Sequence, residues 1–288
     1  MQKWKQWSKK YKTFYVLNIV FLILLVATMI VPLLNTLTVS LSSNIASMQS
    51  GIKIIPTEIS FEGYVTIWQK MNLWLPFYNN VLVTVIGTFF HVLLSALAGY
   101  VLIQKGLPGK RLMMSLILLT MMIPGEAIMI PLYIVNKDLG LLNTLASLVI
   151  HGLVSGFSVL LLRNFFMNIS YELAESARMD GANDFKILFN IYLPLAKPGL
   201  ATVTLFEFVS RWNQFTPALL YINDSTKYTL QIALRSMILS NDATSSSDFI
   251  TPNVRMAGIM IAILPLIVIY PFAQKYFVKG IMLGSTKE

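Results

Sequence analysis

Six apolar runs, each about as long as a bilayer is thick, constrain this chain more than any motif in it. They cover about 14–34, 80–103, 112–135, 144–162, 198–221 and 254–277. About 20 apolar residues in helical form cross a hydrocarbon core of about 30 Å. Lipid offers nothing to a backbone group that its own helix leaves unpaired. Charged residues occupy only 12% of the 288 positions, against roughly 25% in an average soluble domain. The expected architecture is all-α, a polytopic membrane protein with six transmembrane helices in a single domain over 14–288.

Charge sets the expected orientation. Segment 1–13 carries Lys3, Lys5, Lys9, Lys10 and Lys12 without an acid, with Trp4, Trp7 and Tyr11 between them. That amphipathic collar suits the headgroup layer. The apolar run behind it is too long for a signal peptide and lacks a small-residue cleavage site, so a retained first helix is expected. With this end inside, Lys105, Lys110, Arg111, Arg163, Arg178, Lys186, Lys197 and the tail lysines are cytoplasmic. Lys53, Lys70, Lys137, Lys227, Arg235 and Arg255 lie outside. The asymmetry follows the positive-inside rule and puts both termini in the cytoplasm. The net charge of +9 thus reports topology, and no nucleic-acid partner is expected.

Several chemistries find no support. There is no cysteine, and His91 and His151 stand alone, so no metal site is expected. No nucleophile sits beside a base, so no catalytic residue is expected. No G-x-x-x-x-G-K-[ST] loop is present to hold phosphates.

The largest cytoplasmic loop, 163–197, is hydrophilic yet patterned. Ala174, Ala177, Ile187, Leu188 and Ile191 recur near helical spacing and offer an apolar side. Gly181 permits a bend or a close backbone approach, and Pro194 and Pro198 are expected to break the helix before the next span. Two short helices along the membrane surface are expected. Pattern alone leaves open whether their apolar side docks on another protein or rests on the chain's own helix ends.

Glu175-Ser176-Ala177, three residues, Gly181, nine residues, then Ile191-x-Leu193-Pro194 resembles the EAA motif of permease subunits of ATP-binding-cassette importers, with Ser176 in place of the usual second alanine. Asp180-Gly181-Ala182, Leu139-Gly140-Leu141-Leu142-Asn143-Thr144, Trp212-Asn213-x-Phe215 and Pro194-Leu195-Ala196-Lys197-Pro198-Gly199 are similar to the carbohydrate-uptake branch, which includes the six-span maltose permease subunit. The likeness is continuous from about 78 to 284, with a core permease region of about 78–280, and the ending 276–285 resembles importers of complex oligosaccharides.

The resemblance implies a type I importer permease fold with cytoplasmic coupling helices. Glu175, Ser176, Ala177, Asp180, Gly181, Ile191, Leu193 and Pro194 would then couple the chain to its ATPase. Glu175 would pair with a basic residue there, and Gly181 would let the two surfaces meet closely. The implied partners are a second permease, two cytoplasmic ATPase subunits, an extracytoplasmic solute-binding protein, a carbohydrate and membrane lipid. This chain would bind no cofactor and would not itself be an enzyme, since ATP and Mg would sit on the partner subunits. The implied location is a bacterial cell membrane.

Polar groups inside a span are expensive and therefore informative. Glu207 and Arg211 stand one helical turn apart in the fifth run and form a potential internal pair. Alternatively Arg211, Asn213 and Gln214 line a path and bind hydroxyls or a carboxylate, with Trp212 stacking on a sugar face. In that case an acidic sugar is the expected cargo. His91 and Glu126 are expected to make bundle hydrogen bonds. An ion-gradient transporter and a non-transport membrane scaffold remain open as alternative functions.

Overall fold

A computed structural model describes residues 8–69, 72–239 and 250–285, with side chains except at Lys9, 238–239 and 272–285. The collar at 1–7, residues 240–249 of the polar loop 222–253 and the side chains of the C-terminal ending lie outside the described residues. In chain order the helices are α1 Lys9–Ser40, α2 Asn44–Met48, α3 Glu62–Gln69, α4 Trp74–Ile103, α5 Lys110–Met122, α6 Gly125–Asp138, α7 Leu145–Ile150 and α8 Gly156–Met167. There follow α9 Tyr171–Met179, α10 Asp184–Ile187, α11 Leu193–Leu195, α12 Lys197–Trp212, α13 Thr216–Tyr221, α14 Leu230–Leu239 and α15 Pro252–Ser285. One isolated bridge joins Ser42 to Ile59, and no strand occurs among the described residues. The fold is all-α, as expected.

Lys10–Ser40, Trp74–Ile103 and Pro252–Pro271 are each long and apolar enough to cross a membrane. The other apolar runs are broken. Run 112–135 forms α5 and α6, bent by 102° to one another, because Ile123 and Pro124 are extended, with ψ of 120° and 138°. Proline lacks the N–H that would continue the helix and pushes the residue before it out of the helical region. Pro131, by contrast, is accommodated inside α6. Run 144–162 divides into α7 and α8 around Gly152, and run 198–221 into α12 and α13 around 213–215. The Ser155 hydroxyl accepts from the Ser158 N–H and so starts α8.

Two compact units result, Met1–Asn72 with Ser236–Ile263, and Leu73–Arg235 with Leu264–Glu288. In the first, Phe14, Leu17, Phe21 and Leu24 are exposed along α1, and a helix apolar on all sides suits a lipid surrounding. The buried Asn253 amide donates to the Ser42 carbonyl (3.1 Å) and to Asn44 Oδ1 (2.9 Å), fixing the turn between α1 and α2. In the second unit α4 is central. Its buried face carries Thr84, Gly87, Thr88, His91, Ser95, Ala96 and Gly99, small and polar residues that let neighbouring helices approach closely in a membrane. At the corner before α7, Asn143 has a φ of 59°. Its N–H donates to the Tyr221 carbonyl and its side chain accepts from the amides of Asn223 and Asp224.

Candidate functional site

The loop 163–197 is folded onto the second unit. Its apolar side is covered by the chain's own helices: Ala174, Ile187, Leu188 and Tyr192 are buried with Ala96, Tyr100, Leu162, Phe166 and Val203. Ala177, Ile191 and Leu193 pack against the same cluster. The expected break at Pro194 does not occur. Leu188–Tyr192 is a π-helical turn leading directly into α11 with Pro194 in its first turn, and the chain bends only at Ala196, with φ −90° and ψ 17°. A wider turn leaves room for a ring that has no N–H to give.

Gly181 ends α9 in the left-handed region, with φ 79°. Its N–H donates to the Arg178 carbonyl, and the Ala182 N–H donates to the Ala177 carbonyl. Together these bonds make the Schellman ending of a helix, and the accompanying apolar contact is between residues of the Ala177 and Ala182 type. Nothing lies within 4 Å of where a Cβ would stand at Gly181. Within this chain the glycine therefore serves backbone conformation, and no close approach within the chain requires it.

The remaining motif residues face outward. Glu175, Ser176, Asp180 and Pro194 are exposed, and Glu175 lies 3.6 Å from Lys105 across an open surface. Lys105 also sits over the ring of Tyr171. Met179 is 90% and Phe185 66% exposed beside them. Arg178 binds the loop together. It donates to Tyr171 Oη (2.9 Å), Gln104 Oε1 (2.9 Å) and Asp184 Oδ1 (3.0 Å), and the Tyr100 hydroxyl donates to the same Asp184 oxygen (3.1 Å). The hydrogen bond from Arg178 is the main cause holding the Asp184 carboxyl below its ordinary range.

The polar residues of α12 meet a second cluster. Arg211 Nε donates to Glu207 Oε1 at 2.6 Å, so the expected pair forms. Arg211 Nη1 donates to the carbonyls of Leu148 (3.2 Å) and Val149 (3.0 Å), and Nη2 to that of Gly152 (3.1 Å). The last four carbonyls of a helix have no partner within it. At the end of α7 all four are taken: Ser147 by the His151 N–H, Leu148 and Val149 by Arg211, and Ile150 by the Leu153 N–H. His91 Nδ1 donates to the Gly152 carbonyl (2.8 Å), and its Nε2 lies 2.8 Å from the Ser158 hydroxyl. Gly87 makes the space, since a Cβ there would stand 2.3 Å from Arg211 Nη1.

A cavity of about 420 Å³ lies against this cluster, lined by His91, Glu207, Arg211, Asn213, Gln214 and Thr216 among others. Two expectations are corrected here. Trp212 is buried between Phe77 and Phe208, so its ring is not available to stack on a sugar. Arg211 is 3% exposed, and most of its donors are already committed to carbonyls and to Glu207. Asn213 is exposed and ties its amide to the Val209 carbonyl. Gln214 Oε1 is buried without a hydrogen-bond partner among the described residues. Glu126 is exposed in the first turn of α6, a favourable place for a carboxylate. Gly87, Tyr100 and Asp184 escaped the sequence reading. A glycine inside an apolar span with no capping role was the available signal for the first.

Residues 91–283 match the family described as binding-protein-dependent transport system inner membrane component. The chain is 35% identical to the polygalacturonan/rhamnogalacturonan transport system permease protein YtcP of Bacillus subtilis, over 93% of this chain and 96% of that one. It is 29% identical to the diacetylchitobiose uptake system permease protein NgcG of Streptomyces coelicolor, over 95% and 89%. It also superposes on a chain of a bacterial ABC transporter involved in the import of the acidic polysaccharide alginate, with TM-score 0.87, 31% identity, and coverage of 94% and 99%. Fold and sequence together define an ABC-importer permease. The chain belongs to the family of binding-protein-dependent transport system inner membrane components. Neither the ion-gradient transporter nor the scaffold fits that membership.

Two outcomes are expected. Gly87→Ala displaces the buried guanidinium and lowers stability by about 3 kcal/mol, the scale of breaking a buried ion pair, as read by thermal unfolding in detergent. Asp184, depressed in the folded chain, contributes stability above its unfolded value of about 4, and this is lost as pH falls through the folded value. Protease protection of α9 is therefore level from about pH 8 to about pH 5 and declines below about pH 4. Asp184→Asn removes that acid decline.

Proposed function

We propose that this chain is one of two different permease subunits of an ATP-driven importer, and that loop 163–197 is where a cytoplasmic ATPase grips it. The observation carrying this reading is the division of the loop into two faces. One is fixed to the chain's own core. The other leaves Glu175, Met179, Asp180 and Phe185 exposed around the motif. Exposed apolar groups rimmed by charge mark a protein-docking surface. The ion pair of Glu175 with Lys105 is open to solvent, and such pairs contribute about 0–1 kcal/mol, so Glu175 is free to exchange Lys105 for a cation on the partner. Gly181 serves the dock by ending α9 sharply, Ser176 and Pro194 lie on its exposed side, and Ala177, Ile191 and Leu193 anchor the helix pair behind it.

ATP and its Mg belong to the partner ATPases, consistent with the lack of a phosphate-cradling loop in this sequence. The cargo is a sugar or oligosaccharide delivered by an extracytoplasmic solute-binding protein. The names of the relatives support this, and the alginate importer supports an acidic one. In the permease, Asn213 and Gln214 are the path residues suited to hydroxyl groups. Glu207 and Arg211 hold the cavity wall and do not select the cargo. Both termini face the cytoplasm, as the distribution of lysine and arginine supports.

Affinity capture of the tagged chain from its native membrane tests the reading. A second permease and an ATPase are expected with it. Glu175→Ala lowers ATPase recovery by about tenfold, the scale of one charge-assisted hydrogen bond. Gly181→Asn retains the ATPase, whereas Gly181→Val loses roughly tenfold through left-handed strain. Uptake that proceeds without any ATPase contradicts the proposal.

A further inference from the structure

The docking loop is joined to the membrane unit in two physically different ways. Along the chain it continues into α12 through Ala196, where φ −90° and ψ 17° turn the chain between two helices, and it packs on Leu200 and Val203 of α12 by apolar contact. Across space it meets the C-terminal end of α4 through directional bonds. Gln104, the residue that ends α4, accepts from Arg178 Nη2, and its own amide donates to the Tyr100 carbonyl one turn back. Tyr100 donates to Asp184, which also accepts from Arg178. Arg178 thus ties three places at once: the start of α9 at Tyr171, the start of α10 at Asp184, and the end of α4 at Gln104.

Apolar packing alone fixes distance but tolerates sliding. A planar guanidinium with several fixed donors fixes register as well, and a lysine has no equivalent geometry. The same α4 carries Gly87 and His91, which meet the Arg211 cluster beside the cavity. From Gln104 to Gly87 along this helix is about 25 Å.

We propose that Arg178 is a positioning residue that locks the docking loop to the end of α4, so that ATP-driven movement of the loop reaches the cavity through α4 and not through the Ala196 joint. The inference rests on the proposed ATPase grip on loop 163–197. Its test separates the two.

The natural chain has no cysteine, so one cysteine placed at Thr216, exposed on the cavity wall, reports the cavity when label is counted on this subunit alone after the subunits are separated. The complex is purified with its own ATPase, and maleimide labelling is timed without nucleotide and with ATP plus vanadate. Arg178→Lys and Tyr100→Phe are compared with the native background; the second removes one hydroxyl and keeps the ring packed on Tyr192. Both variants are expected to hydrolyse ATP near the native rate per complex, while the ATP–vanadate change in labelling rate shrinks roughly tenfold. A labelling change of native size in both variants overturns the α4 route. So does a loss of hydrolysis in step with labelling, which is the signature of a merely structural role, and so does a native cavity indifferent to ATP–vanadate. If the native chain brings down no ATPase, the docking reading itself fails and the inference falls with it.

Discussion

Carbonyl groups stranded at the end of a six-residue helix are the constraint on which the second unit depends. A span broken in the middle must satisfy its freed backbone groups from elsewhere, because lipid cannot. Here the broken end of α7 is met by Arg211, whose positive charge suits a helix C-terminus. Glu207 neutralises that charge one turn away, and His91 secures Gly152 from the other side. A buried guanidinium is tolerated only with both kinds of partner. Gly87 then follows as a steric requirement. The cavity beside this cluster exists because the chain breaks there, and it is walled by the groups that make the break affordable.

From this cluster the organisation runs along α4. Its middle meets the break in α7–α8, and its C-terminal end meets the loop that carries the motif. Small residues on its buried face permit close contact with α8: a Cβ on Gly99 would stand 3.1 Å from the Arg163 nitrogen. One face of the loop is thus fixed to a rigid helix while the other stays open. The proposed coupling role requires that combination, since rigid-body transmission needs a stiff connection behind the docked face. The motif residues divide accordingly. Ala177, Ile191 and Leu193 look inward, Glu175 and Asp180 look outward, and Gly181 turns the chain between the two helices.

Much of this was legible in the sequence because it is local or periodic. Three of the apolar runs marked helices long and apolar enough to cross a membrane, and Glu207 with Arg211 showed a pair at one-turn spacing. The breaks were less so. A proline inside an apolar run, as at Pro124, signals a helix break, but a 102° bend is a property of both flanking helices in their packed setting. The partners of Arg211 are main-chain carbonyls some sixty residues away, and a carbonyl has no letter in a sequence. That is why Arg211 also read as a cargo ligand. Trp212 misled for a related reason: an aromatic ring beside polar residues gives no sign of which side Phe77 and Phe208 will occupy. Pro194 was expected to break a helix because its effect on an ordinary turn is known, whereas a π-helical turn before it is not written in any residue type.

The central claim is that Arg211 serves stranded carbonyls and not only Glu207. A double-mutant cycle on unfolding stability tests it most directly, using Glu207→Gln, Arg211→Met and the two together. If carbonyl capture dominates, Arg211→Met and the double variant are both destabilised by about 3 kcal/mol or more, because removing the glutamate gives the carbonyls no new donor. If the double variant returns to native stability, Arg211 is there to neutralise Glu207, and the account of the broken span is wrong.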